Sequence, residues 1–129
     1  GYAGTKELNE ALISRFMVID MPPLDTETLH FLLREYFPDA KETAIEQFAG
    51  LFQDLQTKAS NGEISTKSLD FRGLVGAVRT MRSGLSPLQA IQMGIVNKSF
   101  DIFEKEIIED AVLTRIPENW TKKDIFEEG

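Results

Sequence analysis

Apolar residues recur at intervals of three and four along most of this chain, which is the spacing of one face of an α-helix. After two prolines at positions 22 and 23, a helix runs from Thr26, a candidate N-cap, to about Tyr36. A second helix opens at Asp39 and closes at the Ser-Asn-Gly turn of residues 60–62. The apolar positions of these two helices are Leu29, Leu32, Leu33, Ile45, Phe48, Phe52 and Leu55.

Three more helices follow in the same pattern. Ser68 is the candidate N-cap of the third, which ends just before Gly84. Ser86-Pro87 opens the fourth in the favoured order of cap and then proline. The fifth spans roughly residues 99–114, and we expect residues 117–129 to form a polar tail, which frays over residues 121–129.

One segment departs from the helical pattern. Residues 16–21 read Phe-Met-Val-Ile-Asp-Met, a nearly continuous apolar run that is typical of a strand buried on both faces of a parallel sheet. The chain offers no second strand of similar quality, so we expect its sheet partners to belong to a larger domain. The predicted fold is mainly α: a bundle of four to five helices, preceded by a short helix at residues 6–14 and one orphaned strand.

Composition limits the class of protein. The chain has 129 residues, 42% of them hydrophobic and 27% charged, which suits one soluble globular domain. No apolar run approaches the roughly 18 residues that span a bilayer, and the first residues do not resemble a signal peptide. The absence of cysteine removes disulfides and thiolate chemistry. We therefore expect a cytoplasmic protein without a membrane segment.

Charge is unevenly distributed. The net charge is −7, which argues against general binding to nucleic acid. Residues 65–98 nevertheless carry five basic side chains against Asp70 alone, a net of +4. Two interpretations of this basic middle remain: a solvated helix face, or a site for a small anion.

The sequence lacks the usual catalytic and metal-binding patterns. Its single histidine, His30, lies among leucines, which indicates a structural role. Four acidic residues between positions 104 and 110 lack the partners of a metal site, so we predict no bound metal. No Gly-x-x-x-x-Gly-Lys-[Ser/Thr] motif occurs to cradle phosphates. The chain by itself is therefore predicted to be inactive as an enzyme.

Two segments carry a resemblance to a known family. Residues 1–5 read Gly-Tyr-Ala-Gly-Thr and residues 11–16 read Ala-Leu-Ile-Ser-Arg-Phe. This order resembles the stretch that follows the sensor-1 asparagine in AAA+ ATPases, especially the MoxR-like and dynein-related branch with CbbQ, NorQ and GvpN. The resemblance implies that Arg15 is an arginine finger, which reaches the ATP held by a neighbouring subunit.

The second segment looks like the sensor-2 helix of that family, where a basic residue near the helix start contacts the γ-phosphate. Residues 68–75 read Ser-Leu-Asp-Phe-Arg-Gly-Leu-Val, and a Gly-Leu-Ser-Pro turn follows at residues 84–87. Arg72, twelve residues before Gly84, has the family's spacing. The family's Ser-Thr-basic string, however, occurs at residues 65–67 and ends in Lys67. Arg72 and Lys67 therefore both remain candidate ATP-binding residues.

The resemblance implies a division of the chain. Residues 1–24 would be the C-terminal remnant of the α/β AAA+ core, residues 25–116 the helical lid, and residues 117–129 a tail. The intact parent would bind ATP and Mg²⁺, work as a ring of identical subunits, hexameric in this family, and remodel or activate a client protein. This chain alone would bind neither ATP nor Mg²⁺.

An alternative interpretation is a helical DNA- or protein-binding module. The helix ending at Arg82, the tight turn of residues 83–86 and the helix from Pro87 have the order of a helix-turn-helix. A recognition helix presents several polar side chains to base edges. The polar residues after Pro87 are Gln89, Gln92, Asn97 and Lys98.

Overall fold

The computed structural model of the chain describes residues 24–65, 69–95 and 101–127. These residues form six α-helices: α1 Thr26–Tyr36, α2 Glu42–Ser60, α3 Phe71–Arg82, α4 Pro87–Gly94, α5 Ile102–Arg115 and α6 Lys122–Ile125. The prediction of a mainly α fold is confirmed for this part of the chain. The predicted helix at 6–14 and strand at 16–21 lie outside the described residues.

Two helix starts illustrate how local sequence directs the fold. The Ser86 hydroxyl accepts a hydrogen bond from the Gln89 N–H at 3.3 Å, and Pro87 opens α4, as predicted. In α1 the cap is Asp25, whose carboxylate accepts from the Thr28 N–H at 2.7 Å, so the prediction of Thr26 was one residue late. Hydrogen bonding to Thr28 lowers the pKa of Asp25.

The other starts were predicted two to three residues early. Helix α2 begins after Lys41 instead of Asp39, α3 after Asp70 instead of Ser68, and α5 after Asp101. Serine and aspartate occur close together before α3 (Ser68 and Asp70) and before α5 (Ser99 and Asp101), and each is a suitable cap by local chemistry alone. Before α2, the N-cap Lys41 makes no side-chain capping hydrogen bond, so cap chemistry does not set that helix start.

Helix α2 is central to the bundle, since it packs against α1, α5 and α6. Helix α3 packs against α4, and α4 also contacts α5. One apolar core joins these layers. Its largest fully buried side chains are Phe37, Phe48, Leu29, Leu33, Ile45, Leu51, Leu55, Leu74, Met81, Ile91, Ile95 and Ile108.

A bidentate ion pair links α5 to α2. Arg115 donates to both carboxylate oxygens of Asp54, at 2.7 and 3.1 Å. Hydrogen bonding to Asp54 raises the pKa of Arg115. Gly50 leaves the room for this guanidinium, because a Cβ at that position would lie 2.7 Å from an Arg115 nitrogen.

The segment after α5 returns to the start of α2. The Lys41 N–H donates to the Ile125 carbonyl at 2.7 Å, and the Glu127 N–H donates to the Asp39 carbonyl at 2.9 Å. Ile125 and Phe126 are buried in the core. The expectation of a fraying polar tail was therefore wrong for residues up to 127, because two apolar side chains in a polar segment are enough to anchor it.

Arg82 contacts both sides of this pairing between residues 125–127 and residues 39–41. Its guanidinium donates to both carboxylate oxygens of Asp39, at 2.6 and 2.9 Å, and its Cζ lies 4.3 Å from the centre of the Phe126 ring. Hydrogen bonding to Arg82 lowers the pKa of Asp39. Both side chains remain about two fifths exposed, so the pair contributes little by itself.

None of the helices in the described ranges combines the length and the apolar character needed to cross a bilayer.

Candidate functional site

Of the three predicted site residues, Arg72 lies within the described part of the chain. It is the second residue of α3, and its side chain is exposed. Arg15 lies in residues 1–23 and Lys67 in residues 66–68, both outside the described residues. The geometry of the candidate site is therefore the geometry of the α3 N-terminus.

Phe71 anchors this helix start on one side of Arg72. Its buried ring packs edge-on against Phe52 of α2, with centroids 5.6 Å apart, and against Tyr36 of α1 at 6.5 Å. Such aromatic pairs add to the stabilisation from burial. The first residue of α3 is thus fixed to two other helices.

Gly73 anchors the helix start on the other side. The α3 and α4 backbones touch here, so closely that a Cβ on Gly73 would collide with the carbonyl oxygen of Gly94. A Cβ on Gly94 would collide in the same way with the carbonyl oxygen of Gly73. Since both neighbours of Arg72 are held, the backbone of Arg72 has little freedom, while its side chain projects outward.

Two features of the α3 N-terminus favour an anion, next to the carboxylate of its N-cap residue Asp70. The first turn of α3 contains no acidic residue, and the side chain of the N-cap Asp70 makes no capping hydrogen bond. A helix N-terminus carries about half a positive charge from its aligned peptide dipoles. Arg72 adds a full charge and a planar set of donors that matches phosphate.

The loop that leads to Lys67 is attached to α5. Glu104 accepts a hydrogen bond from the Ser65 backbone N–H, which fixes the chain two residues before Lys67. Glu104 is therefore partly buried against this loop, whereas Glu106 and Asp110 of the same helix are exposed. Both Arg72 and Lys67 remain candidates for the basic residue of this site.

The first described residue, Leu24, is attached to the helical bundle by hydrogen bonds to the side chain of Gln56. The side chain of Gln56, 6% exposed, accepts from the Leu24 N–H and donates to the Leu24 carbonyl, both at 2.8 Å. These are the two bonds that a neighbouring β-strand would make to Leu24. One side chain thus satisfies an extended backbone inside a helical domain.

His30 lies at the surface of α1, with its side chain about one third exposed, and contacts an acidic residue rather than the leucines beside it in sequence. Its Nε2 lies 2.7 Å from a carboxylate oxygen of Glu42, which also pairs with Arg34. In the described ranges, no group of three His, Cys, Asp or Glu side chains is placed to hold a metal ion.

Sequence reasoning missed the contacts that position Arg72. Two glycines at positions 73 and 94 were the available signal, because glycine within a helix often marks a close backbone approach. The residue that each glycine contacts cannot be predicted from its neighbours in sequence. The pairing of Gly73 with Gly94 becomes visible only when α3 and α4 are packed together.

The described part of the chain is thus a helical bundle with an arginine fixed at a helix start. No protein-family model and no solved structure matches the chain. Uncharacterized protein YojN of Bacillus subtilis is 35% identical over 114 residues, covering 88% of this chain and 37% of that protein. An uncharacterized protein of Staphylococcus aureus is 32% identical over 113 residues, covering 87% of this chain and 42% of its own length.

An uncharacterized protein of Staphylococcus epidermidis is 29% identical over 120 residues, which cover 93% of this chain and 44% of that protein. The chain thus spans about two fifths of the length of these relatives. Their names state no activity.

Proposed function

We propose that this chain is the C-terminal part of an AAA+ ATPase of the MoxR-like branch, with the arginine-finger segment and the helical lid. In the parent protein, ATP binding and hydrolysis would move the lid against the α/β core and drive remodelling or activation of a client protein. The parent would assemble as a ring of identical subunits.

The observation that supports this proposal is the placement of Arg72. The sequence resemblance requires a basic residue in the first turn of a lid helix, twelve residues before a Gly-x-Ser-Pro turn. Arg72 lies in the first turn of α3, between the fixed residues Phe71 and Gly73.

The residues present suit the phosphate end of ATP. A guanidinium and a helix N-terminus both favour anionic oxygens. A Mg²⁺ ion prefers carboxylate and water ligands, and the described residues contain no group of three His, Cys, Asp or Glu side chains placed to hold a metal ion. In this proposal, the ligands of Mg²⁺ and the loop that cradles the phosphates come from the missing part of the core.

The test uses the longer parent protein. We expect Arg72→Ala to lower ATPase turnover by about 10²-fold, the usual effect of removing one donor from developing charge. Lys67→Ala measured in parallel identifies which residue contacts the phosphate. Lys123→Ala, an exposed cation on α6, is the matched control. Turnover by phosphate release and affinity by calorimetry are both measured.

Arg15 is tested in the same assay. Arg15→Ala is expected to abolish most turnover while ATP affinity stays nearly constant, since arginine fingers contribute about 10³–10⁵-fold. Mixing Arg15→Ala subunits with subunits disabled in their phosphate loop should restore activity, because some interfaces then combine two intact halves. Wild-type turnover in Arg15→Ala, Arg72→Ala and Lys67→Ala would contradict the proposed function.

A further inference from the structure

The outer side of α5 carries most of the large apolar side chains that the bundle leaves exposed. Among the described residues five such side chains are exposed, and Ile102, Phe103 and Leu113 are three of them, at 66%, 71% and 41%. Single exposed apolar residues are ordinary, whereas several on one side of one helix indicate a contact. The core-facing residues of α5, such as Ile108 and Val112, lie elsewhere on the helix. Helix α5 thus has a second apolar side that its own fold does not require.

Two carboxylates lie between these apolar side chains. Successive residues of an α-helix are about 100° apart, so Ile102, Leu113, Glu106, Asp110 and Phe103 fall in that order within an arc of about 100°. This arc is opposite the core-facing residues of the helix. Glu106 and Asp110 are both exposed. We call these five residues the α5 outer face.

The α5 outer face contains no basic residue. By the same helical spacing, Lys105 and Arg115, the two cations of α5, fall outside the arc. Arg115 is also paired with Asp54 of α2. The face therefore combines exposed apolar groups with negative charge.

This combination selects the charge of whatever covers the face. Nucleic acid and the lipid surfaces that attract proteins electrostatically are both anionic, so the two carboxylates repel them. A protein segment that offers apolar side chains together with lysine or arginine fits both features, because opposite charges across an interface favour the matching partner.

A second copy of the chain does not offer this combination within the described residues. The exposed arginines of α3 already contact other groups or belong to the proposed phosphate site. The remaining exposed cations, Lys122 and Lys123, lie on α6, whereas the other exposed large hydrophobic residues, Phe31 and Met93, lie on α1 and α4. We propose that the α5 outer face binds a cationic amphipathic helix of another protein.

The length of the face specifies this helix further. Ile102 and Leu113 are about 16 Å apart along α5, or three turns, at 1.5 Å per residue. Glu106 and Asp110 lie between them. A helix packed lengthwise on α5 therefore needs apolar side chains at both ends of this span and lysine or arginine in the middle.

The test uses a fluorescent synthetic peptide of about 18 residues, built from leucine and lysine with leucine at helical spacing. Anisotropy is measured as this chain is added. The expected dissociation constant is about 10–100 μM at low salt, and it rises with salt because exposed charges are screened. A scrambled peptide of the same composition has the same charge but no apolar side, so we expect it to bind about tenfold more weakly or less.

Substitutions on the face identify the binding surface. Phe103→Ala and Asp110→Lys are each expected to raise the dissociation constant about tenfold or more, since one removes apolar contact and the other places like charges together. Phe31→Ala on α1 and Glu46→Lys on α2 make the same changes at other exposed positions and are the matched controls. The controls are expected to bind within about twofold of wild type. Circular dichroism establishes that each variant keeps its helices.

Reversing the charge of the face should reverse its preference. The double variant Glu106→Lys, Asp110→Lys is expected to bind a peptide with glutamate in place of lysine more tightly than the lysine peptide. Wild-type chain is expected to show the opposite order. A variant that had merely lost its structure would bind neither peptide.

Several results would overturn the inference. Absence of binding, equal binding of the scrambled peptide, or equal effects of the face variants and their controls would show that the face does not recognise such a helix. Binding to phosphatidylglycerol vesicles that Phe103→Ala abolishes would assign the face to lipid. Self-association that Phe103→Ala abolishes would assign it to a second copy.

The same titration with the longer parent protein completes the test. We expect the parent to bind the lysine peptide as this chain does, and loss of binding there would show that the parent covers the α5 outer face itself. The inference goes beyond the proposed function and does not depend on it. None of these measurements involves nucleotide, so their failure is distinguishable from failure of Arg72→Ala to change turnover.

Discussion

Gln56 connects two parts of the chain that are 32 residues apart in sequence. Its amide makes two hydrogen bonds to the Leu24 backbone, inside a core where water is excluded. A buried backbone group without a partner costs free energy, whereas the same group in water does not. The effect of Gln56 on stability therefore comes mainly from the groups that it satisfies.

We expect Gln56→Met to lower the free energy of unfolding by about 1–3 kcal/mol, because it leaves the Leu24 N–H and carbonyl buried and unpaired. Methionine keeps the size of the side chain, so little of this loss comes from a cavity. Urea denaturation of the chain measures the change.

Gln47→Met is the matched control for Gln56→Met. Gln47 lies on the same helix and is only partly buried. We expect its replacement to change the unfolding free energy by less than about 0.5 kcal/mol. Equal effects of the two substitutions would show that the Leu24 hydrogen bonds are not the cause.

At the scale of the helices, the crossing of α3 and α4 depends on two glycines. Their backbones approach so closely at Gly73 and Gly94 that neither position has room for a Cβ. This approach lets short α4, eight residues long, bury Ala90 and Ile91 against its neighbours. It also fixes the position of Arg72 relative to α4, because Arg72 is adjacent to Gly73.

Gly73→Ala is expected to destabilise the chain by about 1–3 kcal/mol, because backbone atoms must move to admit the methyl group. In the same helix, Gly76→Ala is expected to stabilise it by up to about 1 kcal/mol. A Cβ at Gly76 meets open space, and alanine has the higher helix propensity. Thermal unfolding of the two variants measures both signs. Stabilisation by Gly73→Ala would contradict the close approach.

Much of this helical layout was predictable from the sequence, since apolar spacing is a local property. The turn glycines were also predictable: Gly62 and Gly84 have φ values of 79° and 109°, a region that other residues rarely enter. The placement of Arg72 in the first turn of α3 agreed with the spacing argument. The contacts that hold its neighbours were not predictable, because Phe52 and Gly94 are distant in sequence and act only after packing.

On the scale of the molecule, the return of residues 125–127 to residues 39–41 completes the core. Phe126 is buried, its ring packs edge-on against Phe37 with centroids 6.3 Å apart, and Arg82 covers it. A segment of mostly polar composition thus contributes the buried ring of Phe126 to the core. This ring therefore contributes to the core of the whole bundle.

We expect Phe126→Ala to lower the free energy of unfolding by about 3–5 kcal/mol, the usual cost of emptying an aromatic site in a core. Amide exchange at Lys41 should also accelerate, because its N–H donates to Ile125. Phe31→Ala is the control: Phe31 is 50% exposed, so a change within about 0.5 kcal/mol is expected. If both substitutions cost the same, the closing segment is not part of the core.

The same closure has a consequence for the order of events during synthesis. Residues 39 and 127 pair across almost the entire helical unit, so the loop between them must be closed before the core is complete. Helices α1 to α4 emerge from the ribosome long before the ring of Phe126 does. Until then their apolar faces lack one covering residue, and exposed surface of this kind favours association with other chains. Folding of this unit therefore finishes only after its final described residues have left the exit tunnel.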